Sequence, residues 1–299
     1  MITRRQFTVT ALASAIAGVA AQAVCSAAHA QQGTVLASPF EMRLAQIEAQ
    51  VGGRLGVAIL DTASGKQVGW RMYERFPMCS TFKILLASLV LMRTDHGQED
   101  LTRKIVFSKR EVVPSSPVSG PRADSDGMTI AELCEAALTH SDNTAGNLLL
   151  TSVGGPTGLT AFARSIGDKF TRLDRNEPAL NEAAEGDPRD STTPAAILSD
   201  MHALLLGSTL SSSSRDQLIA WLVSNKTGDA RLRARLPKDW RIGDKTGTGD
   251  HGTVNDIAVV WPAGRAPVFV GAYLTGATNA TSTQRDEAIA KIGELVTEI

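Results

Sequence analysis

Ser80 and Lys83 stand three residues apart, at the head of the apolar run Ile84 to Leu91. On a helix, residues three apart share a face, so the two side chains can meet. A serine hydroxyl is a weak nucleophile until a neighbouring base takes its proton. A lysine serves as that base when burial depresses its pKa. A helix start at Ser80 would add free N–H groups and the positive end of a dipole for a developing oxyanion. One Ser-x-x-Lys taken alone, however, is better read as a capping serine and a surface lysine.

Two further triplets change the balance. Ser141-Asp142-Asn143 follows about sixty residues on, between two helical segments, and Lys245-Thr246-Gly247 comes about a hundred residues later at the end of a strand. Each is common by itself. The three in this order, each in the right structural context, are not.

The elements that must position these residues are legible in outline. Ser38-Pro39-Phe40-Glu41 reads as a helix start, with Ser38 as cap, Pro39 in the first turn and Glu41 completing a capping box. Phe40, Leu44, Ile47 and Val51 then share one helical face, and Gly52-Gly53 ends the helix. Leu55–Leu60 and Val68–Met72 read as strands joined by a turn at Ala63-Ser64-Gly65. Strand patterns return at Trp240–Lys245, Ile257–Trp261 and Val268–Leu274, before a last helix after Thr283. Between these ends the pattern is helical: Phe82–Met92, Ile130–Thr139, Thr144–Leu150, Gly158–Ser165, Pro194–Leu206 and Arg215–Val223. The expected fold is α/β (α+β), an antiparallel sheet built from both chain ends with flanking helices, plus an inserted all-helical lobe. The sheet lobe would cover about residues 38–73 and 222–299, the helical lobe about 74–221, with a cleft between them as the ligand site.

Bulk properties narrow the partners. The formal net charge of −1 gives no reason to expect nucleic acid or an anionic membrane surface. Arg4-Arg5-Gln6-Phe7 precedes a weakly apolar stretch, Val9 to Val24, and Ala28-His29-Ala30 offers a cleavage site. Residues 1–30 therefore read as a twin-arginine export signal, removed on the way to the periplasm. A general secretory signal or an anchor is the alternative. The anchor suits the Ala- and Gly-rich run less well, and Val24 before Cys25 is a poor lipidation site. Cys79 and Cys134 remain in the mature chain and read as two buried thiols. His96, His140, His202 and His251 show no metal-ligand spacing, so neither a metal nor a cofactor is expected. The mature protein is expected to be a monomer acting on a small molecule, with no lasting membrane association.

The ordered set of Ser-x-x-Lys, Ser-Asp-Asn and Lys-Thr-Gly is the established signature of class A β-lactamases and penicillin-binding proteins. Over essentially the whole mature chain, the sequence resembles the class A β-lactamases. Arg175-Asn176-Glu177-Pro178-Ala179-Leu180-Asn181 resembles the family's loop carrying the deacylating glutamate. Pro178 matches its cis peptide, and Arg175 with Asp190 the ion pair that closes the Ω-loop.

The resemblance implies roles. Ser80 attacks the lactam carbonyl, and the backbone N–H groups of Ser80 and Thr248 form the oxyanion hole. Lys83 and Glu177 are rival acylation bases. Ser141 passes a proton to the departing nitrogen, Asn143 binds the acylamide side chain, and Asn181 helps Glu177 hold the hydrolytic water. Lys245, Thr246 and Thr248 hold the substrate carboxylate. Arg231 either joins them or is a solvated arginine of Arg231-Leu232-Arg233-Ala234-Arg235.

Departures from the family bear on spectrum. Some carbapenem-hydrolysing members bridge the cysteine before the nucleophile to a position that here is Gly249; others bridge the counterpart of Cys134 to one that is Ala87. Neither bridge can form, and Ser115 stands where an aromatic residue commonly lines the cleft mouth. Gly249-Asp250 resembles members that accept bulky cephalosporins. Hydrolysis of penicillins and cephalosporins is thus expected. A penicillin-binding D-Ala-D-Ala peptidase would lack the Glu177 loop, and a non-catalytic β-lactam sensor would need a membrane partner.

Overall fold

The computed structural model describes residues 38–299. The export signal read at 1–30 lies outside the described residues.

Helix α1 (Pro39–Val51) buries Leu44 and Ile47 and stops at Gly52 and Gly53, both at positive φ. A Cβ at Gly53 would lie 2.4 Å from the Thr275 carbonyl oxygen, so only glycine lets the chain turn there. Strands β1 (Arg54–Asp61) and β2 (Gln67–Trp70) form a hairpin. The remaining strands of this sheet come from the far end of the chain: β3 (Arg241–Gly249), β4 (Thr253–Trp261) and β5 (Val268–Thr275). The sheet order is β2-β1-β5-β4-β3, all antiparallel, with Arg54 opposite Thr275 and Asp61 opposite Val268. The sheet is thus built from both chain ends, as the strand patterns predict.

Period-two alternation gives the sheet two apolar faces. Leu55, Val57, Ile59, Val270 and Ala272 pack with α1 and with α8 (Ser282–Leu295), through Ile289 and Ile292. Ala58, Ile257, Val259, Phe269 and Tyr273 face the other way, into a larger core. That core is filled by the helical middle of the chain: α2 (Lys83–Asp95), α3 (Ile130–Thr139), α4 (Asn143–Ser152), α5 (Gly155–Ser165), α6 (Pro194–Leu205) and α7 (Ser212–Val223). Every residue of α2 from Lys83 to Leu91 is buried, as its all-round apolar run requires.

Several boundaries differ from the sequence reading, four of them near the site or at the last helix. Ser80 does not open an α-helix. Cys79 takes a left-handed φ of 45°, Cys79–Phe82 is a tight 3₁₀ turn, and α2 begins at Lys83. The strand bearing Lys245-Thr246-Gly247 continues to Gly249, because the backbone pairs Thr248–Val254 and Gly249–Thr253 extend the ladder. For the same reason β4 starts at Thr253, ahead of its apolar half. The last helix starts one turn-setting step earlier, where Thr281 and Gln284 form a capping box.

Candidate active site

The nucleophile turn is held from two sides. Asn255 on β4 donates its side-chain N–H groups to the Pro77 and Met78 carbonyls at 2.9 and 3.0 Å. Strand β3 presses against the same turn, and a Cβ at Gly247 would meet the Met78 carbonyl oxygen at 2.7 Å. The glycine of Lys-Thr-Gly is therefore what lets β3 approach Ser80.

Around Ser80 the polar groups converge. Lys83 Nζ donates to Ser80 Oγ at 3.1 Å, and Ser80 Oγ donates to Glu177 Oε1 at 3.1 Å. Lys83 Nζ also lies 3.0 Å from Glu177 Oε1, both side chains fully buried. The ammonium is completed by the Ser141 carbonyl at 2.8 Å and Asn143 Oδ1 at 2.7 Å. Burial lowers the Lys83 pKa while Glu177 pulls it back up. Gly146 on α4 leaves the room this needs, since a Cβ there would sit 3.1 Å from Lys83 Cε.

Glu177 is presented by the loop between Arg175 and Asp190, whose side chains pair at 2.6 Å as expected. The Glu177–Pro178 peptide is cis. Asn181 donates to Glu177 Oε2 at 2.5 Å, and its own Oδ1 is buried without a protein partner. Asn147, which the motifs did not single out, clamps the glutamate backbone. It accepts from Glu177 N and donates to Glu177 O, both at 2.9 Å. Its position four residues after Asn143 on the same helix face was the available signal.

The loop carrying Ser141 is fixed by Asp142. That buried carboxylate caps α4 at Ala145 N and accepts from Val118 N, Ser119 N and Ser119 Oγ. Asn143 Nδ2 donates to the Pro114 carbonyl at 3.0 Å, tying α4 to the opposite wall. Ser141 itself has a left-handed φ of 56° and accepts from Lys245 Nζ at 3.0 Å. Lys245 is wholly buried, and burial, reinforced by the charge of Lys83, lowers its pKa to about 7.

Arg231 is no solvated arginine. It is 8% exposed and reaches across β3 to Thr248 Oγ1 at 2.8 Å, while donating to the Gly247 and Asn255 carbonyls and to Asp286. Thr246 touches a hydroxyl the motifs also missed, that of Thr227, at 2.5 Å. All ten side chains singled out in the sequence thus gather around one cleft. The cleft holds about 640 Å³ and is lined by Ser80, Ser141, Asn143, Asn181, Arg231, Thr246 and Thr248, with Ser115, Ser116 and His140 at its mouth. A larger hollow of about 740 Å³ lies beside Arg54, Arg75 and residues 183–188, but none of the converging groups faces it. Cys79 and Cys134 are buried free thiols. Among the described residues, no group of three or more His, Cys, Asp or Glu side chains could hold a metal.

A buried serine–lysine–glutamate centre, beside a cationic rim on an antiparallel strand, defines an active-site-serine hydrolase. Comparison with known proteins resolves the class. The model of the β-lactamase enzyme family matches residues 39–299. The chain is 45% identical over 262 residues to β-lactamase CTX-M-8 of Citrobacter amalonaticus, covering 88% of this chain and 89% of that one. It is 45% identical over 296 residues to the carbapenem-hydrolyzing β-lactamase KPC of Klebsiella oxytoca, covering 99% and 96%. The solved structure of an ancestral (GNCA) class A β-lactamase superposes with a TM-score of 0.85 at 61% identity, covering 87% of this chain and 99% of that one. The chain belongs to the class A β-lactamases.

Proposed function

We propose that this β-lactamase opens penicillins and cephalosporins through an acyl-enzyme on Ser80 and is freed by a water that Glu177 activates. One observation carries the reading: Ser80 Oγ lies within 3.1 Å of both Lys83 Nζ and Glu177 Oε1. Glu177 can accept a proton as it stands and Lys83 can once neutral, so two bases flank one nucleophile. Either can take the Ser80 proton in acylation. Deacylation needs a carboxylate beside a water-sized polar site, and the unpartnered Asn181 Oδ1 next to Glu177 supports that. The backbone N–H groups of Ser80 and Thr248 receive the oxyanion. Ser141, hydrogen-bonded to Lys245, delivers a proton to the leaving nitrogen. Asn143 takes the acylamide side chain, and Lys245, Thr246, Thr248 and Arg231 take the carboxylate. The result for a bacterium is resistance to these antibiotics.

The two-step scheme is tested at Glu177. Glu177→Ala is expected to acylate with benzylpenicillin and then stall, because loss of a general base costs about 10²–10⁴ in rate, or roughly 3–5 kcal/mol. Ser80→Ala is expected to form no adduct. Intact-mass spectrometry reads both outcomes. Wild-type turnover by Glu177→Ala, or an adduct elsewhere than Ser80, refutes the scheme.

Identity alone does not separate spectra, since the CTX-M and KPC relatives match equally well. The unbridged Cys79 facing Gly249 favours oxyimino-cephalosporins over carbapenems. Arg4, Arg5 and the weak apolar stretch that follows favour twin-arginine export to the periplasm. We read the mature enzyme as a monomer, residues 31–299, with the sheet lobe at about 38–73 and 222–299 and the helical lobe at about 74–221.

A further inference from the structure

A chain of buried hydrogen bonds runs from Asp244 to the cleft, and the chemistry of its members fixes its direction. Asp244 on β3 accepts from Arg233 Nε at 2.5 Å through one oxygen and from Asn225 Nδ2 at 2.6 Å through the other. With its amino group so committed, Asn225 turns its carbonyl toward Thr227. That carbonyl accepts the Thr227 N–H at 3.1 Å and the Thr227 hydroxyl at 2.9 Å. An amide oxygen cannot donate, so the single Thr227 hydroxyl proton is spent on Asn225. Either oxygen of the 2.5 Å contact between the Thr227 and Thr246 hydroxyls can donate, and with the Thr227 proton on Asn225 the donor is Thr246. In the free enzyme the Thr246 proton therefore points away from the place where a carboxylate would bind. An arriving anion would meet a lone pair.

We propose that Thr227 is a positioning residue of the carboxylate subsite, which reverses this relay when substrate enters so that Thr246 can donate to the carboxylate. The proposal rests on the reading that Thr246 holds that carboxylate. After the hydroxyl turns, Asn225 Oδ1 still accepts the Thr227 N–H, so the amide oxygen is not left without a partner. Thr227 then donates to Thr246, and a hydroxyl that accepts a hydrogen bond is a stronger donor. Both threonines line the cleft, so the turn needs no movement of the backbone. The adjoining residue is built for this approach: a Cβ at Gly228 would fall 2.0 Å from Asp244 Oδ2, so a side chain there would push the Thr227 turn off the strand. A hydroxyl is what the relay needs at 227. Serine supplies one and valine, of nearly the same shape as threonine, does not.

The test is steady-state hydrolysis of benzylpenicillin by wild type, Thr227→Val, Thr227→Ser, Thr246→Ala and the Thr227→Val/Thr246→Ala double variant. Thr227→Val is expected to raise KM by about three- to tenfold, the weight of one neutral hydrogen bond, with kcat within about twofold. Thr227→Ser should restore KM. In the Thr246→Ala background, Thr227→Val should add nothing, because its effect passes through Thr246. An unchanged KM in Thr227→Val, a Thr227→Ser as impaired as the valine variant, or additive effects in the double variant would each overturn the relay. A wild-type enzyme inert toward benzylpenicillin would instead overturn the hydrolytic reading beneath it.

Discussion

Lys245 Nζ lies 3.0 Å from Ser141 Oγ and is wholly buried, so one cation serves both the serine read as proton donor and the carboxylate rim. Burial, then the neighbouring charge of Lys83, lowers its pKa from 10.5 to about 7. The sign follows directly. Below about pH 7 Lys245 is cationic and attracts a carboxylate; above it the free enzyme loses that charge. Benzylpenicillin kcat/KM should therefore show an alkaline limb beginning near pH 7. Lys245→Arg, which stays charged, should lose the limb whatever its absolute rate. The same shift makes the unfolded chain bind more protons between about pH 7 and 10.5, so this group's contribution to stability rises with pH across that window. An identical alkaline limb in Lys245→Arg would assign the titration elsewhere.

Asn147 holds both backbone polar groups of Glu177 at 2.9 Å. Asn147→Ala leaves the two without protein partners, at a cost of about 1–3 kcal/mol for an orphaned buried group. The glutamate should lose its fixed position more than its charge. Deacylation, which needs a water placed against the ester, should slow more than acylation, so acyl-enzyme should accumulate as a burst in stopped-flow absorbance. Equal slowing of both steps would show that Asn147 supports the fold rather than the glutamate.

Much of this site was legible because its residues come in compact motifs whose element types are easy to read. Ser80 and Lys83 sit beside the apolar stretch of α2, and Lys245 on a strand bounded by glycines. What the sequence did not disclose were partners recruited across the fold. Thr227 matters only because β3 brings Thr246 to it, 19 residues away in the chain. Arg231 reads as one of three alternating arginines, and only the packing of its turn against β3 and β4 decides that it faces Thr248. The 3₁₀ entry at Ser80 was hidden because a left-handed Cys79 has no propensity signature.

The export reading makes a direct prediction. Arg4→Lys with Arg5→Lys should leave precursor in the cytoplasm, as a twin-arginine signal requires its paired arginines. Fractionation and immunoblotting measure it. Normal periplasmic yield from the double variant would point to the general secretory route.

Cys79 and Cys134 are free and fully buried, and burial pushes both thiols well above their ordinary pKa. Native mature protein should thus react slowly with a thiol reagent, and denatured protein should yield both thiols at once. A Cβ at Gly249 would lie 2.7 Å from Cys79 Sγ. Gly249→Cys should therefore form a bridge under oxidising conditions, leaving Cys134 alone titratable. The same Cβ would press within 2.7 Å of the Asn181 carbonyl, so the bridged variant should also deacylate more slowly. Three free thiols in oxidised Gly249→Cys would mean that β3 and the nucleophile turn stand further apart than described.

Asp200 on α6 is 2% exposed and has one carboxyl oxygen without a partner. Burial raises its pKa from 3.8 to about 9, and the charge of Asp168 and a hydrogen bond to it add to the shift. Asp168 already accepts from Phe170 N and Thr171 N, so the donor between the two carboxyls comes from Asp200. Asp200 then holds the shared proton. Between pH 3.8 and about 9 the folded state binds that proton and the unfolded state does not, so this group's contribution to stability falls as pH rises through that window. Asp200→Asn keeps the shape and supplies a donor to Asp168 that never titrates. At pH 8 it should melt higher than wild type by at least about 3 °C, the shift roughly 1 kcal/mol makes in a domain of this size. Near pH 4, where wild-type Asp200 is protonated in the folded state at little cost, the gap should narrow. Calorimetry or circular dichroism across pH 4–9 measures both. A gap that stays constant with pH would mean that the pair does not share a proton in the folded enzyme.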